Sequence, residues 1–130
     1  MLTPETKRFF ADIAKGASKL SGCAQKHGAV LIRGLDILSY GINRKVIKDS
    51  NNPDWEVSAI LDALYGSRDK DISGAILFST KFPSVEDMKM IAAVGISSIY
   101  FFGEVNDAGS VALVNAMADS HIPLELVKLQ

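Results

Sequence analysis

Two short acidic stretches carry side chains that could do chemistry: Asp54-Trp55-Glu56, and Pro83-Ser84-Val85-Glu86-Asp87. Carboxylates gathered in a pocket either hold a cation or move protons. Asp54 and Asp87 can each offer an oxygen, but Ser84 is a neutral hydroxyl and a poor ligand for zinc. A magnesium or manganese centre wants more oxygen ligands than this set supplies. The same residues also have a purely structural use. Ser84-Val85-Glu86-Asp87 has the spacing of a capping box, after a proline and before an apolar helix. Asn52-Pro53-Asp54 likewise reads as a helix start, with Asn as cap, Pro in the first turn and acids where the helix dipole favours them. On that reading Glu56 is an acid in a first helical turn, and Trp55 either fills space beside it or is an ordinary half-buried aromatic.

Other polar residues have less pattern behind them. Asn43 stands at a strand end, where Asn most often serves a turn. Cys23 and His27 could pair as nucleophile and base, but no orienting acid follows in a recognisable arrangement. A small buried Cys and a surface His describe them better. His121, just before Pro123, reads as a loop residue. The glycines around 103–109 lack the Lys-Ser or Lys-Thr ending of a phosphate loop.

The elements that must position these residues follow from periodicity. Thr3-Pro4-Glu5 starts a helix whose apolar residues Phe9, Phe10, Ile13, Ala14, Ala17 and Leu20 recur at helical spacing. Ala29 to Ile32 is a continuous apolar run, as in a strand covered on both faces. A turn at 33–36 and a return at Ile37 to Ile42 make a hairpin. Residues 43–54 are polar and read as loop. Val57, Ile60, Leu61, Leu64 and Tyr65 predict a helix ending at Gly66. Then come a strand at Ala75–Phe78, a helix from Ser84 to about Val94, a strand at Ile99–Phe102, a helix near 109–119 and a last strand at 124–129. Strands alternating with helices after one hairpin imply a single α/β domain over residues 1–130, a three-layer α/β/α sandwich on a five-stranded mixed sheet with the later strands parallel. Glu125 and Lys128 among the leucines mark the last strand as an edge.

Composition narrows the function classes. The chain has 130 residues, 48% of them apolar, with 14 basic and 15 acidic side chains and a formal net charge of −1. That balance describes a soluble globular protein and argues against a general nucleic-acid binder, which would show a basic stripe. Arg44, Lys45 and Lys48 form only a small patch, read as a solvated loop. No apolar run reaches membrane-spanning length, and residues 1–10 lack a signal-peptide layout. With a single cysteine no intrachain disulfide can form. A cytoplasmic location is expected.

The ordered series of segments resembles the cytidine deaminase superfamily, and within it the deoxycytidylate deaminase branch. Gly28-Ala29-Val30-Leu31-Ile32 is similar to that family's first strand, and Tyr40-Gly41-Ile42-Asn43 to the end of its second. Glu56-Val57-Ser58-Ala59-Ile60 resembles the helix that follows its catalytic Glu. Leu77-Phe78-Ser79-Thr80-Lys81-Phe82-Pro83 resembles the approach to its Pro-Cys-x-x-Cys helix, Ala93-Val94-Gly95-Ile96 the exit from it, and Ile122-Pro123-Leu124-Glu125-Leu126 its final strand. The family signature is H-x-E followed by P-C-x-x-C, with zinc activating a water and the Glu shuttling protons. Carried over by position, Asp54 stands at the histidine ligand, Ser84 and Asp87 at the two cysteines, Glu56 at the proton shuttle and Asn43 at a sugar contact.

The resemblance therefore implies the fold while removing the thiolate and imidazole ligands that favour zinc. No cofactor is expected, and Glu56 becomes a vestige or a binding residue. The leading reading is a catalytically inactive deaminase relative that binds a pyrimidine nucleotide or a partner, as a homo-oligomer or with an active paralogue. Two alternatives remain open: an active pyrimidine nucleotide deaminase with an altered metal site at Asp54, Ser84 and Asp87, and a purely structural oligomeric subunit whose pocket is closed by Trp55 and its neighbours. The apolar helix Val111 to Met117 suits a subunit contact or the core equally.

Overall fold

A computed structural model of the chain describes residues 2–47, 52, 55–105 and 107–129. Its centre is β1 (Gly28–Arg33), whose first five residues are buried. Because strand side chains alternate, Ala29 and Leu31 enter one apolar cluster while Val30 and Ile32 enter another on the opposite face. An apolar run of this kind needs cover on both sides, and it receives it.

Around β1 a five-stranded sheet runs in the order β2-β1-β5-β6-β7, with β2 Asp36–Ile42, β5 Ile76–Ser79, β6 Ser98–Phe101 and β7 Glu125–Lys128. β1 is antiparallel to both β2 and β5, while β5–β6 and β6–β7 are parallel. The sheet is thus mixed, the hairpin and the parallel half are as the sequence predicts, and β7 is an edge.

Helix α1 (Pro4–Ser18) covers one face, packing Phe10, Ala11 and Ala14 on Val30, Ile32, Phe78 and Tyr100. Thr3 caps it, its side chain accepting from Thr6 N–H at 3.1 Å. Helices α2 (Ala59–Tyr65), α3 (Val85–Val94) and α4 (Ala108–Asp119) cover the other face with Leu31, Leu77, Ile99 and Phe101 beneath them. Two glycines set how closely the layers approach. A Cβ on Gly28 would stand 2.2 Å from Ala14 O of α1, and one on Gly41 would stand 2.3 Å from Ala59 O of α2. No described helix is long and apolar enough to cross a membrane.

The segment read as loop and helix start departs from expectation. Arg44–Lys45 (β3) and Glu56–Val57 (β4) form a two-stranded antiparallel ribbon, in register Arg44↔Val57 and Lys45↔Glu56. α2 begins at Ala59, capped by Ser58, whose hydroxyl accepts from Leu61 N–H at 3.0 Å. Glu56 is therefore a strand residue and not an acid in a first helical turn. Val57, although in phase with the helical stripe, is taken by ribbon pairing, and Ser58 is the first side chain able to satisfy a free helix N–H. Pro53, Asp54 and Lys48 lie outside the described residues. Arg44 is no mere solvated charge either, since its Nε lies 3.0 Å from Asp62 Oδ2 on α2.

Candidate functional site

A cavity of about 550 Å³ opens where the entry to β1, the β3–β4 ribbon, the start of α2, the end of β5 and the start of α3 converge. Three residues singled out from the sequence line it, namely Asn43, Glu56 and Asp87. So do His27, Lys45, Ser58 and Lys81, which the sequence reading did not place there. Trp55 does not line the cavity and is 46% exposed, so it leaves the pocket open.

At the floor stands Asp87, 1% exposed. The capping box read from the sequence is present: Asp87 N–H donates to Ser84 Oγ at 3.2 Å and Ser84 N–H donates to Asp87 Oδ2 at 3.0 Å. The other oxygen, Oδ1, accepts from Ser58 Oγ at 2.5 Å. Each oxygen of this buried carboxylate thus has a donor, which offsets the cost of removing it from water. The N-terminal acid also suits the dipole of α3.

Asn43 is 5% exposed and holds the approach to β1. Its Oδ1 accepts from His27 N–H at 2.9 Å, and its Nδ2 donates to Gln25 O at 2.6 Å. An amide NH₂ has two donors, and among the described residues only one of them has a partner. Cys23 is buried, as expected, and its thiol donates to the Asn43 carbonyl. It does not share the cavity with His27, so no nucleophile–base pair forms.

His27 is half-buried with Nδ1 3.5 Å from Thr80 Oγ1. Burial first, and the Lys81 charge second, hold its pKa below the ordinary imidazole value, with Glu56 pulling the other way. Lys45 and Glu56 face each other across the ribbon register. Sequence reasoning considered His27 only as a partner for Cys23, and Lys81 only within the stretch that resembles the approach to the family's second ligand helix, so it missed that the two share a cavity. The available signal was strand register, since pairing Ala29 with Ser79 sets residue 27 opposite residue 81 two steps out.

The resemblance implies zinc, and the donors at the two described ligand positions do not fit it. Zinc in such centres is held by thiolates and neutral imidazole. Ser84 offers a neutral hydroxyl already engaged by Asp87 N–H, and Asp87 spends an oxygen on each of two donors. The third position, Asp54, lies outside the described residues.

No protein-family model matches the chain, and no curated protein matches it significantly. Solved structures do. A dCMP deaminase from the cyanophage S-TIM5 superposes with TM-score 0.80 in its apo form, at 25% identity over 98% of this chain and 100% of that one. The same enzyme in complex with dCMP and dUMP matches with TM-score 0.80 at 26% identity, over 99% of this chain and 100% of that one. A diaminohydroxyphosphoribosylaminopyrimidine deaminase/reductase from Thermotoga maritima matches in fold alone, with TM-score 0.70 at 18% identity over 95% of this chain and 36% of that one.

Proposed function

We propose that this chain, by fold a member of the cytidine/deoxycytidylate deaminase superfamily, binds a pyrimidine nucleotide in its polar cavity and does not carry out zinc-dependent deamination. The observation that carries this reading is the closure of Asp87 onto Ser58 and Ser84, beside a cavity that stays open. Where the family pattern calls for two thiolates, these side chains satisfy each other. The cavity lies within the roughly 300–1,000 Å³ range of small-molecule sites, which supports ligand binding over a purely structural role. Asn43 offers the ligand an amide hydrogen that has no partner among the described residues, and Glu56 acts as an acceptor for it.

Glu56 lining the same cavity is the one observation favouring the second reading, an active deaminase with an altered centre. Metal analysis, a dCMP turnover assay and calorimetry against dCMP on the purified chain decide between them. Binding of dCMP without stoichiometric zinc or turnover is the expected result. Stoichiometric zinc with formation of dUMP would overturn it. The nucleotide-bound chain acts, on this proposal, as a regulatory subunit in a homo-oligomer or beside an active paralogue.

A further inference from the structure

Helix α1 carries two apolar seams. One is the core seam, in which Phe10 and Ala14 are buried against the sheet. Beside it Leu2, Thr6, Phe9, Ile13 and Leu20 recur at intervals of four, three, four and seven residues. That is the heptad spacing of a helix that packs along another helix. Leu20 lies just past the end of α1, where Leu20 N–H to Ala17 O at 2.9 Å and Ser21 N–H to Ser18 O at 3.1 Å continue the winding. Leu2 and Ile13 reach the margin of the core cluster, but Phe9 is 59% exposed and Leu20 66%. The adjoining strand surface is bare as well. Ile37 and Tyr40 of β2 pair with Ile32 and Val30, which α1 covers, yet both remain exposed.

The two ends of this second seam differ in shape and in charge. At the N-terminal end Glu5, Thr6, Phe9 and Phe10, with Leu35 of the hairpin turn, line a cavity of about 280 Å³. At the other end Leu20 stands out as an exposed knob. Along the outer margin run Glu5, Asp12 and Lys19, seven residues apart and all exposed. Among the described residues none of the three is in an ion pair. Two copies packed in parallel would set each of these charges on its like. Packed antiparallel, they set Glu5 on Lys19 twice, and only Asp12 meets its like, a turn away from Arg8 and Lys15 of its own helix. The same alignment brings Leu20 over the cavity at residues 5 and 6.

We infer that the second seam of α1 binds a second copy of this chain, antiparallel about a two-fold axis near Asp12, with Leu20 of each copy seated between Phe9 and Leu35 of the other. A two-fold contact must be self-complementary, because each surface meets itself reversed. This seam meets that condition: knob and cavity, base and acid lie at its opposite ends. From Leu2 to Leu20 it runs about 27 Å at the helical rise per residue. An apolar side chain held in a pocket at each end is the kind of anchor that carries most of an interface's binding. The contact gives a surface to the homo-oligomer of the proposed function and requires no nucleotide.

Sedimentation equilibrium of the full chain over a rising concentration series tests it, with circular dichroism as the check on folding. The parent should self-associate. Leu20→Glu and Phe9→Glu, both at exposed positions, should stay folded and weaken that association by about thirtyfold or more, the scale of an interface anchor. Glu5→Lys and Lys19→Glu should each weaken it by about tenfold, since each variant breaks two ion pairs per dimer. The double variant Glu5→Lys with Lys19→Glu should restore it, which a purely structural role for either residue would not do. Val111→Glu on α4 should leave association through α1 unchanged. A parent that stays monomeric overturns the interface, whatever calorimetry finds with dCMP. Association that survives both Leu20→Glu and Phe9→Glu at parental strength overturns it too, and places the contact on another face.

Discussion

The Ser58 hydroxyl donates to Asp87 Oδ1 at 2.5 Å, so the cap of α2 and the capping box of α3 are one hydrogen-bonded unit. Ser58 Oγ accepts from Leu61 N–H on its own helix while donating to the neighbouring one. Asp87 closes its own helix through Ser84 N–H and reaches across with its second oxygen. Two helix starts that the superfamily pattern associates with a shared metal are joined here by two side chains of the chain itself.

Asp87→Ala should therefore cost more than an ordinary cap. It leaves the Ser58 hydroxyl and the Ser84 N–H without their acceptor, and a lost charged partner plus a lost cap amounts to about 3 kcal/mol. Ser58→Ala should cost about 1–2 kcal/mol, and the double variant less than the sum, because the pair shares one bond. Urea denaturation of the three variants checks this. Strict additivity of the two single losses would mean the Ser58–Asp87 bond contributes nothing.

How much of this was legible in the sequence depends on the range of the interactions involved. The sheet, its order of strands and helices, and the capping box at Ser84–Asp87 follow from apolar periodicity and a local i to i+3 spacing. The start of α2 was misplaced because Asn52-Pro53-Asp54 has stronger local cap chemistry than Ser58. What decides the matter is ribbon pairing of Glu56–Val57 with Arg44–Lys45, a contact that no short window contains. That His27 and Lys81 share a cavity was not legible for the same reason, since strand register relates them across more than fifty positions of chain. Asn43 was legible as a polar residue at a strand end, but its grip on His27 N–H and Gln25 O comes from the folded loop.

Glycine replacements should split by position. At Gly41 a Cβ would meet Ala59 O at 2.3 Å and Ala63 N at 2.4 Å, both backbone atoms of α2 that cannot step aside. Gly41→Ala should destabilise by about 1–3 kcal/mol as an overpacked contact, and it should loosen the Ser58 cap as α2 is pushed from β2. Gly16, inside α1, has open space where its Cβ would go. Gly16→Ala should stabilise by about 0.5–1 kcal/mol through lower unfolded-state entropy and better helix propensity. Chemical denaturation of both variants is sufficient, and shifts of the same sign would contradict the close approach of α2 to Gly41.

Stability should depend on pH through His27. Its pKa in the folded chain lies below the ordinary 6.5, chiefly through burial and then through Lys81. Between those two values the unfolded chain binds more protons than the folded one, so stability rises with pH there. The contribution is fully present above 6.5 and is lost as pH falls through that value, levelling off once the folded imidazole also protonates. His27→Gln should flatten this segment. Denaturation midpoints from about pH 5 to 8 measure it, and parallel profiles for parent and variant would remove His27 as the source.

Restoring the superfamily ligands provides a test of the whole framework. Asp54→His, Ser84→Cys and Asp87→Cys together should bind zinc at one equivalent, because ligand identity is what the two described positions lack. The triple variant also gives up the capping box and the bond from Ser58, so without metal it should be less stable than the parent. Zinc should then raise its denaturation midpoint, since a metal bound only by the folded chain stabilises it by mass action. The parent should behave differently: a chelator should leave its midpoint unchanged, because hydrogen bonds hold α2 and α3 together. A parent that melts earlier in chelator would mean that a metal already holds those helix starts. A triple variant that folds but takes up no zinc would mean that the replacement of the ligands was accompanied by a change in the positions of the helix starts themselves.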